Sequence, residues 1–217
     1  GGSLYTSNFN LLNPVVTAED PHSGVAKVEY ALVEEPVLSA LAGTGAAKWV
    51  TDPRTMDATT LTNGKAYYYA IRVTNGVGLA AIAFSGGVTL DNTAPAILRL
   101  ADEGVAKREN TSLSATVQAV DDESGIVAYR YAVGTTPGGQ EITGNIAGNQ
   151  GGWLTVQASG PQVDLKLDGL QLSNGIYYFA VKVENGAGLV ATAVADGMAI
   201  DSTLSPVPKV ADDGVYT

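Results

Sequence analysis

The side chains able to do acid–base or nucleophilic chemistry are few in this chain of 217 residues. It has a single histidine, His22, and no cysteine. His22 has no serine or carboxylate arrangement around it that resembles a triad, and no serine occupies a G-x-S-x-G elbow. Neither a P-loop nor a dinucleotide fingerprint occurs. The sequence therefore predicts a protein that is not an enzyme and requires no cofactor.

Carboxylates dominate the charged residues. The 22 acidic residues against 12 basic ones give a formal net charge of −10 and an isoelectric point near 4.4. An acidic surface repels phosphate backbones, so nucleic acid is not an expected partner. No apolar run approaches the ~20 residues that span a bilayer, so we expect no membrane insertion of this segment. The lack of cysteine fits a bacterial exported protein.

The chain contains two copies of one pattern. Ser23-Gly24 recurs at Ser124-Gly125, and Asn75-Gly76 recurs at Asn185-Gly186. The second copy is longer around "GGQEITGNIAGNQGG", which predicts an enlarged surface loop. The closing "PVPKVADDGVYT" repeats "PAILRLADEGVA" from the middle of the chain. We therefore predict two tandem domains, 1–93 and 94–204, followed at 205–217 by a linker and the beginning of a further repeat.

Each copy has a hydrophobic period of two, which predicts β-strands. Tyr67, Tyr69 and Ile71 alternate with residues of the opposite face, and Tyr177 begins a matching series in the second copy. Asn-Gly and Ser-Gly pairs separate these short strands and favour tight turns. The pattern predicts antiparallel sandwiches without substantial helix.

The stretches "LTNGKAYYYAIRVTNG" and "LSNGIYYFAVKVENG" resemble the E–F corner and F strand of fibronectin type III domains of bacterial extracellular proteins. The resemblance implies an all-β fold of two tandem antiparallel Greek-key β-sandwiches. It also implies that Tyr67 and Tyr177 bond to nearby backbone as tyrosine corners, with Leu61 and Leu172 preceding the turn. The tryptophan usual on the family's B strand is absent, so immunoglobulin-like modules remain an alternative within the same fold class.

Acidic residues cluster where such a fold would join two domains. The resemblance brings the end of the first copy towards the B–C turn of the second, which gathers Asp91, Asn92, Asp121, Asp122 and Glu123. Hard oxygen donors at one joint could bind Ca²⁺, which takes 6–8 oxygens. The alternative is that they are solvated turn residues, because Asp and Asn favour turns.

Each copy has one tryptophan, Trp49 and Trp153, at corresponding positions. A flat aromatic face suits the C–H face of a sugar, so both residues are candidate ligand contacts. The alternative is that they are edge or core residues.

These patterns predict a structural or spacer segment of a repetitive bacterial cell-surface or extracellular protein, such as a stalk, filament or surface layer. The expected partners are neighbouring copies of the same repeat. The alternative is a ligand-binding module, either an adhesin segment or a carbohydrate-associated accessory domain of a secreted enzyme. Its partners would be extracellular polysaccharide or other protein subunits.

Overall fold

A computed structural model describes residues 4–41, 47–146, 149, 151–157 and 159–203. The sequence-based prediction of a further repeat from residue 205 lies outside the described residues. The described chain is all-β, which confirms the predicted fold class. The described strands pair only within residues 4–90, here called the first unit, or within residues 96–200, the second unit. None of its described helices is long and apolar enough to cross a membrane.

The second unit is a two-layer sandwich. Its elements are β6 Ala96–Asp102, β7 Ala106–Lys107, β8 Leu113–Val120, β9 Ile126–Gly134, α1 Glu141–Gly144, β10 Leu154–Gln157, β11 Gln162–Leu167, β12 Gly175–Asn185, β13 Val190–Val194 and β14 Met198–Ile200. One sheet has the order β11-β8-β6, and the other has the order β10-β9-β12-β14-β7 with β13 also paired to β12. Inward residues of both sheets form one core. This strand order is that of a fibronectin-type Greek-key sandwich.

The first unit repeats only one of these two sheets in its described residues. Its strands are β1 Leu4–Thr6, β2 Val25–Val33, β3 Ala66–Asn75, β4 Ala80–Phe84 and β5 Val88–Leu90, with 3₁₀ turns at Phe9–Leu11, Leu38–Leu41 and Pro53–Thr55. β2 and β4 pair antiparallel with β3 on its two sides. β5 pairs antiparallel with the first two residues of β3, and β1 pairs in parallel with β5. Among the described residues, the side chains that pack on the other side of this core include Phe9, Leu12, Met56 and Ala58, which lie in turns or in segments without regular secondary structure.

Sequence length explains why this second layer is reduced. Eleven positions separate Val50 from Leu61, whereas eighteen separate their counterparts Leu154 and Leu172. The shorter connection forms a 3₁₀ turn, with Asp52 accepting from the backbone N–H of Arg54, in place of a counterpart of β11.

Tyrosines on β3 and β12 anchor the two cores. Tyr67 is 3% exposed and its hydroxyl accepts from the backbone N–H of Thr62 at 2.7 Å. Tyr177 is 6% exposed and donates to the carbonyl of Ser173 at 2.9 Å. Leu61 packs against the first core and Leu172 is buried in the second. Both hydroxyls thus tie the turn before the strand to the strand itself.

The insertion in the second copy is not only a surface loop. Its described part contains α1, and Thr143 on that helix is fully buried. The Thr143 hydroxyl accepts from the backbone N–H of Val133 at 3.2 Å and donates to the carbonyl of Gly152 at 2.5 Å. The helix is therefore fastened to β9, and the prediction of a simple surface loop was wrong for this part.

Candidate functional site: the joint between the two units

Each unit carries the same pair of turns at one end. The first turn is capped by an aspartate three residues before a serine. In the first unit, Asp20 Oδ1 accepts from the backbone N–H groups of His22 at 3.0 Å and Ser23 at 2.7 Å. In the second unit, Asp121 Oδ1 accepts from Ser124 at 2.9 Å and Gly125 at 3.0 Å in the same manner. Aspartate favours such turns because its short side chain reaches backbone donors two to four residues ahead.

The second turn of the pair is the Asn-Gly that ends β3 or β12. Asn75 donates its Nδ2 to Asp20 Oδ2 at 3.0 Å, and Asn185 donates to Asp121 Oδ2 at 3.0 Å. The Oδ1 of Asn185 accepts from the backbone N–H groups of Ala187 at 3.1 Å and Leu189 at 2.8 Å. These two donors fix the orientation of the amide, so its hydrogens must face the carboxylate.

The glycine after each asparagine lets the two turns touch. A Cβ added at Gly76 would lie 2.3 Å from the carbonyl oxygen of Ser23, and one at Gly186 would lie 2.7 Å from that of Ser124. Real Cβ atoms do not approach backbone that closely, so a side chain here would push the turns apart. The repeated Asn-Gly therefore supplies both a hydrogen-bonding amide and the space for contact.

Asp91, the first residue after the first unit, contacts this turn pair of the second unit. Its side chain is completely buried. Its Oδ2 accepts from Asn185 Nδ2 at 2.8 Å and from the Ser124 hydroxyl. Its backbone N–H donates to the carbonyl of Thr6 at 2.9 Å. One residue is thus bonded to β1 of the first unit and to both turns of the second.

A second contact lies beside Asp91. Asn63, on the turn before β3, donates Nδ2 to Glu123 Oε1 at 2.6 Å. Its Oδ1 accepts from the backbone N–H of Asn92 at 2.7 Å. The hydroxyl of Thr93 also reaches Glu123 Oε2 at 3.3 Å. The linker, residues 91–95, is therefore held by side chains of both units. We call this set of contacts the joint; its residues are Asn63, Asp91, Asn92, Thr93, Asp121, Glu123, Ser124 and Asn185.

The residues predicted to bind Ca²⁺ are only partly brought together. Carboxylate oxygens of Asp91, Asp121 and Glu123 lie within 4.8 Å of one another. Asp122 is outside this group and exposed, as is the side chain of Asn92. Asn185 Nδ2 donates to both Asp91 and Asp121, so a hydrogen-bond donor lies where a cation would contact these two carboxylates. Calcium binding stays a prediction, and this geometry satisfies the buried carboxylate without it.

The two tryptophans are each covered on one face by a cation. The Arg72 guanidinium carbon lies 4.3 Å from the centre of the Trp49 ring, and Lys182 Nζ lies 4.1 Å from that of Trp153. Trp49 also packs against buried residues of the first unit. A sugar that stacked on the face covered by the cation would have to displace that cation, which is attracted by the ring's electrostatic field. Ligand binding through Trp49 and Trp153 stays a prediction.

Hydrogen bonding lowers the pKa of the Asp20 carboxyl. Donation from Ser23, Asn75 and His22 lowers the pKa of the Asp20 carboxyl to about 2. These donors favour the charged form, because each bond to a carboxylate is weakened when the carboxyl is protonated. The turn pair of the first unit therefore holds a carboxylate that stays ionised well below neutral pH.

Asn63, Ser124 and Asn185 are joint residues that sequence reasoning missed as functional. The signal was present, since Ser-Gly and Asn-Gly recur in both copies. We interpreted these pairs as turn formers alone. Only the structure shows that the two turns are neighbours and that Asp91 lies between them.

Comparison with known proteins places the chain by fold only. No protein-family profile matches it, and no curated protein sequence matches it. A solved structure of fibronectin(III)-like modules of Clostridium thermocellum CbhA is 13% identical with a TM-score of 0.42, covering 91% of this chain and 88% of that one. The chicken CNTN1 FN1–FN3 domains are 16% identical with a TM-score of 0.37, covering 78% and 56% of the two chains. The D00-D0 domain of Intimin is 11% identical with a TM-score of 0.29, covering 84% and 88%.

The chain is thus similar to fibronectin type III-like and immunoglobulin-like modules. The assignment of fold rests on the strand order of the second unit. The similarities to solved structures are too distant to indicate anything beyond the fold. The fold implied by the tyrosine-corner resemblance is confirmed at this level.

Proposed function

We propose that this chain is a non-enzymatic spacer segment of a repetitive extracellular or cell-surface protein, in which the joint holds successive modules in a fixed relation. The observation that carries the proposal is Asp91. Its buried carboxylate bonds to Ser124 and Asn185, while its backbone is bonded to β1. A flexible linker has no need to bury a charged side chain, and burial is tolerated only with such partners.

The electrostatics of the joint favour a single arrangement of the two units. If the units separated, Asp91 would lose bonds from Asn185 and Ser124, and Glu123 would lose its bond from Asn63. Hydrogen bonds to charged groups contribute roughly 1.5–3 kcal/mol each. Hydrogen bonds to water would replace part of this free energy if the units separated. The closed joint is nevertheless favoured, because several such bonds form in it at once.

The described residues support a non-catalytic role. His22 is exposed on the turn capped by Asp20, and only its backbone N–H takes part in that cap. The largest carboxylate grouping found among the described residues is bonded to amide and hydroxyl donors of the joint. These hydrogen bonds give the three carboxylates a structural role, so no catalytic role is needed to explain their grouping.

The extracellular location is part of the proposal. Its support is the repetition of whole domains, the acidic composition and the lack of cysteine. The alternative role as a polysaccharide-binding or adhesive module would use the tryptophans, and the cations stacked on them do not favour it.

Small-angle scattering tests the proposal on the whole chain. The wild type should scatter as one rigid particle of two units, and Asn185→Ala should broaden the distribution of dimensions. Asn75→Ala, which removes the corresponding amide outside the joint, serves as the matched control and should leave the distribution unchanged. Independent tumbling of the units in the wild type would contradict the proposal.

A further inference from the structure

The chain contains four Asn-Gly pairs, which begin at Asn63, Asn75, Asn174 and Asn185. Asparagine is one of the thermolabile residues of proteins. It loses ammonia fastest before glycine, because no side chain shields the glycine backbone nitrogen and the glycine backbone bends readily. The pairs at Asn75 and Asn185 form the equivalent turns that end β3 and β12. The structure therefore shows one labile pair in two different surroundings.

The loss of ammonia needs no partner other than water and hydroxide. Hydroxide takes the proton of the glycine backbone N–H, and this nitrogen bonds to Cγ of the asparagine. The bond from Cγ to Nδ2 breaks, and the leaving nitrogen takes a proton from water to form ammonia. Water then opens the cyclic imide at one of its two carbonyl carbons, which yields aspartate or isoaspartate. Either product replaces an amide that donates hydrogen bonds with a carboxylate that only accepts them.

The turn polarises the asparagine side chain for this attack. Asn75 Oδ1 accepts from the backbone N–H groups of Val77 at 3.2 Å and Leu79 at 2.9 Å. Negative charge develops on this oxygen when the glycine nitrogen attacks Cγ, and two N–H donors stabilise that charge as in an oxyanion hole. Asn185 Oδ1 has the same pair of donors in Ala187 and Leu189. The carbonyl carbon is therefore activated to the same degree in both turns.

The contact between the two turns of each unit restrains the attacking nitrogen. The backbone N–H of Gly76 donates to the carbonyl of Gly24 at 3.1 Å, and that of Gly186 donates to the carbonyl of Gly125 at 3.1 Å. A nitrogen in this bond keeps its proton, because a carbonyl oxygen is too weak a base to remove it. The reaction therefore requires the Asn-Gly turn to move away from the Ser-Gly turn, so its rate depends on local opening.

The joint adds further restraint in the second unit. Asn185 is 1% exposed, and its Nδ2 donates to the Asp91 carboxylate and the Thr93 carbonyl of the linker. Asn75 is partly exposed, and its Nδ2 donates to Asp20 of its own unit. Opening the turn at Asn185 breaks the bonds to the linker in addition to those within the turn pair. The joint therefore raises the free energy of the opening that the reaction needs.

We propose that Asn75-Gly76 is a site of spontaneous deamidation and that the joint protects the equivalent Asn185-Gly186 pair from the same reaction. When the joint opens, Asn185 loses ammonia, and the carboxylate formed there faces those of Asp91 and Asp121. Carboxylates do not donate hydrogen bonds and repel each other, so the joint no longer closes as before. Opening of the joint thereby leads to an irreversible covalent change. The inference rests on the proposed role of the joint in holding the two units.

Peptide mapping by mass spectrometry measures the conversion of each Asn-Gly pair separately in the full-length chain. The protein is incubated at mildly alkaline pH, where more of the glycine nitrogen is deprotonated, and samples are digested after increasing times. We expect Asn75 to convert about tenfold or more faster than Asn185, because the bonds to the linker oppose opening. Equal rates at Asn75 and Asn185 in the wild type would overturn the proposal.

Asp91→Ala removes the linker carboxylate and should bring the Asn185 rate close to that of Asn75. Asn174, on the turn before β12, is exposed and is not part of the joint, so its rate reports whether the second unit has unfolded in this variant. If the Asn174 rate rises as well, Asn63→Ala is used instead, because it weakens the joint without removing a hydrogen bond of Asn185. An Asn185 rate that stays at the wild-type value while the joint is weakened would disprove the protection.

Asn185→Asp introduces one product of the reaction directly. In small-angle scattering, Asn185→Asp should broaden the distribution of dimensions, and Asn75→Asp, the matched change outside the joint, should not. An unchanged distribution in Asn185→Asp would contradict the effect assigned to the new carboxylate. A wild type that scatters as one rigid particle while Asn185 converts as fast as Asn75 would disprove the protection and leave the proposed spacer function standing.

Discussion

Asn185 donates its side-chain amide to Asp91 at 2.8 Å, although 94 positions separate the two residues in the chain. The same amide also donates to Asp121 at 3.0 Å and to the carbonyl of Thr93 at 2.9 Å. The Asn185 side chain therefore bonds both to a turn of its own unit and to two residues, Asp91 and Thr93, of the segment that joins the two units. The corresponding amide in the first unit, Asn75, has only Asp20 as its acceptor among the described residues.

This difference predicts unequal effects of one substitution in the two units. Asn185→Ala leaves the buried Asp91 carboxylate with one donor fewer, and an unpaired buried group costs roughly 1–3 kcal/mol or more when charged. We expect Asn185→Ala to lower the free energy of unfolding by more than Asn75→Ala, by about that amount. Urea denaturation of both variants measures the difference. Equal losses of unfolding free energy in the two variants would show that the hydrogen bond from Asn185 to Asp91 does not stabilise the protein.

The contact between turns predicts a steric effect at Gly186. A Cβ there would lie 2.7 Å from the backbone oxygen of Ser124, so the Ser-Gly and Asn-Gly turns must separate. Gly186→Ala should destabilise the second unit by about 1–3 kcal/mol, the usual cost of forcing backbone apart. Gly86→Ala is the control, because nothing lies within 4 Å of its added Cβ. A neutral Gly186→Ala variant would mean that the turns are not in contact in solution.

Acid should weaken the turn pair of the first unit. The pKa of Asp20 is lowered from 3.8 to about 2 by its hydrogen bonds. Since the folded pKa lies below the unfolded one, the resulting stability is present above pH 3.8 and is lost as the pH falls towards about 2. Asp20→Asn should therefore flatten the dependence of stability on pH in this window.

Thermal denaturation at a series of pH values from neutral to about 2 measures this dependence. The Asp168→Asn variant controls for the loss of one negative charge. Glu109, whose pKa is also lowered to about 2 by Thr111 and Ser112, should keep its own contribution in all variants. An unchanged slope in Asp20→Asn would contradict the assigned hydrogen bonds.

Thermal denaturation distinguishes a calcium site from a joint held by hydrogen bonds alone. A site with a Kd of ~10 μM would add about 2.7 kcal/mol at 1 mM Ca²⁺, which raises the melting temperature of a domain near 100 residues by roughly 10 °C or more. Because Asn185 already bonds to Asp91 and Asp121, we expect melting curves in EDTA and in Ca²⁺ to superimpose. A large upward shift that Asp121→Asn abolishes would instead establish a metal site.

The sequence predicted the strands better than the joint. Alternating residues such as those around Tyr67 and Tyr177 report which face is buried, because the period of a strand is fixed by backbone geometry. The reduced layer of the first unit was not predicted. Its cause is a connection seven residues shorter between Val50 and Leu61 than between Leu154 and Leu172, and local patterns do not show whether a strand has partners.

The candidate site was predicted only in outline. The resemblance brought Asp91 towards Asp121 and Glu123, and the structure places these three together. It did not reveal that an amide lies between two of the carboxylates. Aspartates carry the same sequence signal whether they face a cation or a hydrogen-bond donor, so residue type alone could not separate a calcium site from a hydrogen-bonded joint.

The most direct test of the spacer proposal places one spin label in each unit and measures the distribution of distances between the two labels by pulsed electron–electron double resonance. The chain has no cysteine, so single labels at exposed positions such as Thr59 and Asp164 can be placed without removing native residues. The proposal predicts one narrow distance peak that broadens in Asn185→Ala and not in Asn75→Ala. A broad distribution in the wild type, unchanged by Asn185→Ala, would contradict a rigid joint.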